Sequence, residues 1–299
     1  RANAMAGHLG AAVVAGYFVG EELFGLEAAT HRAVEGELDR IIAGEEPIWY
    51  DPKKVGIPVS ELFAIFPRSE QRAEALKVIA GALAKNIGET RQSGHNVIFA
   101  SLAIRALHGH PALASEPIVG GIQKLEALFD AEGPGRGYYG KERGWLEGEN
   151  VPLPEAKDFP GYDSERAMAD AVIDRLIRDG AKRRQGFGGL FHVINHAAAL
   201  VELSHFGFPD LARRGWPAHH RHVRLWDTLP DLREELGDLK SAEIDPRKPE
   251  YWRLKKSSQW SAWLTHRVKT LYGFSVLSRF IDDPSRRQQA ESGFRYLMG

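Results

Sequence analysis

Cysteine is absent from the 299 residues, which excludes disulfides, thiolate nucleophiles and cysteine-ligated metals. An excess of either charge is absent too. The 39 Lys plus Arg stand against 40 Asp plus Glu, a formal net charge of −1. That balance gives no electrostatic reason for nucleic acid or an anionic membrane as a partner. No apolar run reaches the roughly 18 residues of a membrane span. Sustained period-two alternation is also missing, so few strands are expected. The opening stretch RANAMAGHLGAAVVAGYFVG is broken by glycines and His8 and has no cleavage site of the usual kind, so a cytoplasmic location is expected. Arg1 is not an initiator residue, as in a chain that begins after a tag or a processing event.

Helical periodicity fills the rest. The composition is 43% hydrophobic, enough for a single core over residues 1–299. Leu76, Ile79, Leu83 and Ile87 mark one face of a helix expected from near Ser69 to Gly88. Ile118, Ile122, Leu125 and Phe129 mark another, and Met168, Val172 and Leu176 a third that stops before Gly180. Charges on the opposite faces place these three on the outside. Residues 9–19, 97–107, 193–203 and 267–281 form a second kind of helix, apolar on most sides and therefore surrounded by other helices. Alternation of the two kinds predicts an all-α domain of helical hairpins in a ring or layered bundle.

The inner segments repeat. Residues 94–114 align with 192–212 almost without gaps, and both end in a Gly-x-Pro step, Gly109–Pro111 and Gly207–Pro209, that stops one helix and starts the next. Asp283–Pro284 plays a similar part after the last inner helix. Residues 130–162 are too rich in Gly and Pro for a long helix and predict a short hairpin or an extended lid. A charged, irregular section at 227–256 is expected to cover the outside.

Gly-rich turns that lead into apolar inner helices, as in GFGGLFHVINHAAALVEL at 186–203, resemble the repeats of α/α toroids such as prenyltransferase β-subunits and terpenoid cyclases. The resemblance spans roughly half of the chain and implies an α/α-toroid-like ring. It does not extend to isoprenoid chemistry: there is no aspartate-rich motif, no QW-type signature and no cysteine for a prenyltransferase zinc. Similar toroids include polysaccharide lyases and sugar hydrolases, which implies a carbohydrate-type substrate.

Histidine opens each inner segment: Gly7-His8, Gly94-His95, Asn195-His196 (with His192 one turn earlier) and Thr265-His266. If the inner helices all run the same way, these rings meet at one mouth. A helix N-terminus disfavours imidazolium, and a neutral imidazole is what a divalent metal or a general base requires. The H-x-x-x-H spacing of His192 and His196 suits a ligand pair, without the Glu of a zinc protease. A histidine at a helix start can equally be a cap or a packed core residue. On the functional reading the expected metal ligands are His8, His95, His192, His196 and His266, with zinc or iron as the ion. His95, His196 and Tyr139 are the acid–base candidates, and Arg184, Tyr138 and Trp145 the substrate contacts, with Arg183 beside them. The HHRH run at 219–222 reads as a solvated helix face, with metal binding as the alternative. Arg105 and Glu202, charges inside apolar helices, should pair or face the cavity. The function expected is an enzyme of lyase or hydrolase type acting on a small-molecule or carbohydrate substrate. The alternative is a non-catalytic helical scaffold that binds a partner or an apolar ligand. Oligomeric state is left open by the sequence.

Overall fold

The computed structural model describes residues 3–23, 26–46, 49–66, 70–153, 161–253 and 262–299. The helices are α1 (Gly7–Glu22), α2 (Ala28–Ile42), the single turns α3 (Pro52–Val55) and α4 (Val59–Leu62), α5 (Ala75–Leu83), α6 (His95–Gly109) and α7 (Glu116–Ala127). A two-stranded antiparallel sheet follows, β1 (Arg136–Tyr138) and β2 (Trp145–Glu147), with Gly137 opposite Leu146. Then come α8 (Glu165–Asp179), α9 (Leu190–His205), α10 (Pro209–Asp227), the short α11 (Arg233–Leu236) and α12 (Pro249–Trp252), α13 (Trp263–Ser278) and α14 (Pro284–Leu297). The fold is all-α apart from that hairpin, which lies in the section expected to hold one. Residues 154–160 of the same section lie outside the described residues.

Four helices touch in cyclic order: α1 on α6, α6 on α9, α9 on α13, and α13 back on α1. They are the four apolar segments of the sequence. In α6, α9 and α13 nearly every residue is buried, so no polar face is available and neighbours must cover all sides. Amphipathic helices supply the cover. α2 packs on α1, α5 and α7 on α6, α8 and α10 on α9, and α14 on α13 and α8. Val172 and Leu176 in α8, and Ile79 and Leu83 in α5, are buried on the faces that the periodicity marks.

The four core helices run parallel. Their first turns bring four histidines together, as described below. Their C-terminal halves meet in a polar plug: Arg105 of α6 donates to Glu202 of α9 at 2.7 Å, to the Tyr272 hydroxyl of α13 at 2.7 Å and to Glu21 of α1 at 3.1 Å. Tyr272 in turn donates to Glu202 at 2.9 Å. The two buried charges of the sequence therefore pair, which is what burial of a charge demands.

Three expectations need correction. The helix placed from Ser69 to Gly88 is shorter: Ser69 lies outside the described residues, Glu74 takes a left-handed φ of 53° ahead of α5, and after Leu83 the chain continues in turns. Residues 227–253 do more than cover the outside, since Tyr251 and Trp252 are buried and tied to the Met298 and Pro246 carbonyls; 254–256 fall outside the described residues. The HHRH run is not a solvated face. The Leu211, Ala212 and Gly215 positions turn that side of α10 onto α9, and His219 and His222 are fully buried. Among the described residues no helix is long and apolar enough to cross a membrane.

Candidate metal centre

His8, His95, His192 and His266 stand at the first turns of α1, α6, α9 and α13. Their rings follow the cyclic order of the helices. Centroids are 4.5 Å apart from His8 to His95, 4.4 Å from His95 to His192, 4.9 Å from His192 to His266 and 5.3 Å from His266 to His8. His8, His95 and His192 are buried, and His266 is partly exposed.

Each ring is oriented in the same way. His8 Nδ1 donates to the Met5 carbonyl at 2.7 Å, His95 Nδ1 to the Gln92 carbonyl, His192 Nδ1 to the Gly188 carbonyl at 2.5 Å and His266 Nδ1 to the Ala262 carbonyl at 2.7 Å. A carbonyl can only accept, so all four protons sit on Nδ1 and every Nε2 carries a bare lone pair. Those lone pairs converge. His95 Nε2 lies 2.9 Å from His8 Nε2 and 2.9 Å from His192 Nε2, and His266 Nε2 is buried with no partner. Ligand atoms of His8, His192 and His266 all fall within 4.8 Å of one another, a group that could hold a metal ion.

Lone pairs facing each other at that separation repel. A proton between two Nε2 atoms would make one ring an imidazolium, and the environment opposes it. Burial is the first cause that lowers the pKa of all four rings, with Lys269 and the neighbouring rings adding to it; His95 falls to about 3. A cation bound at the centre resolves the conflict. Carbonyls behind the Nδ1 atoms then act as the outer partners that fix and strengthen imidazole ligands.

The sequence builds this geometry with unusual backbone. Gln92, Ser93 and Gly94, just before His95, all have positive φ (42°, 61° and 83°). So do Gly186, Phe187, Gly188 and Gly189 before α9. Left-handed non-glycine residues are uncommon and gather at functional sites. The hairpin sutures both loops: Gln92 N donates to Gly133 O, Ser93 N to Pro134 O, Phe187 N to Arg136 O and Tyr138 N to Gln185 O. Gly94 is required for space as well as φ, because a Cβ there would lie 2.5 Å from the His196 ring.

His196 does not join the tetrad. One turn beyond His192 it is rotated by about 40° around the helix, enough to move from the bundle axis to the seam with α10. There its Nδ1 lies 3.3 Å from His222 Nδ1. His222 Nε2 donates to the Phe187 carbonyl at 2.8 Å, and His219 bridges the Val193 carbonyl at 3.1 Å and the Tyr162 hydroxyl at 3.0 Å. This second group braces α9 and, through the Phe187 carbonyl, the loop that leads into it. Its signal in the sequence was the His219–His222 spacing on one face of α10.

A cleft of about 410 Å³ opens over the tetrad. Trp49, stacked on His8 at 3.7 Å, lines it, as do Arg136, Trp145, Arg184 and Phe191. Arg184 and Trp145, two residues expected as substrate contacts, both line this cleft. Tyr138 and Tyr139 are not among the lining residues: their hydroxyls are tied to Glu235 at 2.6 Å and Thr228 at 2.5 Å. Arg183 uses its backbone to hold Asp231 and Leu232. Trp49 and Lys269 were missed by sequence reasoning; Lys269, one turn past His266, could have been found as one of two cations, with Arg267, inside an otherwise apolar helix. Comparisons with family models, with curated proteins and with solved structures give no match, so the centre is read from its own geometry.

Proposed function

We propose that this protein is a metal-dependent enzyme built on a four-membered α/α ring, with His8, His95, His192 and His266 as the ligands. The single observation behind this reading is a set of four rings whose Nδ1 protons are all committed to backbone carbonyls, with the Nε2 atoms of His8, His95 and His192 in contact and ligand atoms of His8, His192 and His266 within 4.8 Å of one another. Neutral imidazoles favour iron, copper, nickel or zinc.

The substrate class follows from the cleft. A divalent ion on four neutral rings would keep its full charge, and Arg136 adds to it, with Arg184 partly offset by Asp227 at 3.9 Å. Trp49, Trp145 and Phe191 offer flat apolar surface. A small anionic molecule with a ring fits that combination, and an acidic sugar is such a molecule. The ion would polarise a substrate oxygen or lower the pKa of a water, chemistry suited to a lyase or hydrolase. Metal analysis of the purified protein tests the reading: about one transition-metal ion per chain is expected. His95→Ala and His192→Ala should each lower affinity by at least about a hundredfold, since loss of a mere outer partner costs ~10–100-fold. Protein that takes up no iron, copper, nickel or zinc would refute it.

A further inference from the structure

One helical turn inward from the tetrad lies a second polar layer that the fold does not explain. Asn195 follows His192 on α9 by one turn, and Lys269 follows His266 on α13. Together with Ile98, Ser101, Leu102, Ala199, Tyr272 and Gly273 they enclose a chamber inside the bundle with room for about one water-sized molecule. Asn195 is 5% exposed, and neither its Oδ1 nor its Nδ2 has a hydrogen-bond partner. Lys269 is 2% exposed, and its Nζ faces the Phe99 ring at 5.9 Å. Burial pulls Lys269 down to about 7, and its charge lowers the pKa of all four ligand rings. An unsatisfied buried amide is destabilising, so a fold that keeps one beside a buried amine has a use for both. An ion held by the four rings would lie between the cleft, which His8, His95, His192 and His266 line, and the next turn inward, which carries Asn195 and Lys269.

We propose that the chamber is a binding site for a single small anion or hydroxide, held on the inner face of the metal by Asn195 Nδ2 and Lys269 Nζ. The cleft then takes the substrate, and the inner ligand sets the charge and reactivity of the ion from behind. This rests on the metal reading above, and the test separates the two.

Fluoride is the probe, because it is about the size of a water oxygen and accepts hydrogen bonds strongly. Copper(II), which binds imidazoles tightly, is loaded into the full-length chain, and fluoride is titrated while its splitting of the copper EPR signal is followed. Lys269→Met and Asn195→Leu, both close in shape to the native side chains, should each weaken fluoride by about tenfold or more. Copper affinity should stay within about threefold of wild type, as the ligands are untouched. Without metal, Asn195→Leu should melt no earlier than wild type, because it removes a buried amide that has no hydrogen-bond partner in the protein. Unchanged fluoride affinity in both variants, or earlier melting of Asn195→Leu, overturns the chamber as a site. Loss of fluoride in Arg184→Gln alone places the anion in the cleft and overturns it equally. Wild-type protein that takes up no copper overturns the metal reading, and this proposal with it.

Discussion

Acid should unfold the metal-free protein over a narrow range, and the size of the effect can be worked out. Seven histidines have pKa values lowered chiefly by burial: the four of the tetrad and His196, His219 and His222. His95 and His219 fall to about 3 and His222 to about 4. The folded state therefore holds these rings neutral at a pH where the unfolded chain, near 6.5, protonates them. Stability is fully present above the unfolded value and is lost as pH falls below it. Each ring costs about 0.2 kcal/mol at pH 7 and about 1.4 kcal/mol at pH 5.5, so seven rings lose roughly 9 kcal/mol between those values. Glu126 works in the opposite direction. Burial raises its pKa, so it takes up its proton in the fold first and returns at most about 2 kcal/mol over the same interval. The net loss of about 7 kcal/mol is comparable to the ~5–15 kcal/mol stability of an ordinary domain. Urea unfolding of metal-free protein, followed by circular dichroism between pH 7.5 and 5, measures it directly. The free energy should fall with a slope that reports net uptake of several protons on unfolding. A stability that stays level from pH 7 to 5.5 would mean that these rings are already charged or solvated in the fold, and the buried-tetrad geometry would be wrong.

Two further outcomes test the supports of the centre. Glu202→Ala leaves Arg105 buried with its strongest partner gone and should cost about 3 kcal/mol or more in urea unfolding, whereas replacing Arg105 and Glu202 together with Met and Leu should cost clearly less. Gly94→Ala forces a side chain into φ 83° and against the His196 ring, so a loss of ~1–3 kcal/mol is expected, with weaker metal uptake as His95 shifts.

The parts of this architecture that obey a period were legible in the sequence. Apolar stretches without a polar face can only be central helices, and the recurrence of a histidine at their starts followed from reading them as parallel. His196 was misplaced because the sequence gives its separation from His192 as one turn but not which way α9 is rotated about its axis. That rotation is set by α10, whose Leu211, Ala212 and Gly215 dock on it. The same docking buries His219 and His222, which a run of four polar letters does not reveal. Tyr138 and Tyr139 depend on the twist of a short hairpin, fixed by pairing with loops distant in sequence. Lys269 went unread because a single lysine in an apolar helix looks like an end of the helix until the partners around it are known.

Four helix N-termini pointing at one spot present a difficulty for a cation, since each carries a partial positive charge. The structure answers it in two ways. The carbonyls of Met5, Gln92, Gly188 and Ala262 turn back from the first turns to accept the Nδ1 protons, placing four negative dipole ends directly behind the four rings. Glu46, fully buried, accepts from Leu264 N at 3.1 Å and Thr265 N at 2.9 Å and so neutralises the start of α13. Among the described residues no carboxylate belongs to the histidine group that could hold an ion. Positive potential therefore remains at the mouth, to which Arg136 adds, and Arg184 adds less because it lies 3.9 Å from Asp227. An ion bound at such a site would be held best when an anion completes it. Anions should accordingly raise metal affinity, and metal should raise anion affinity by the same factor.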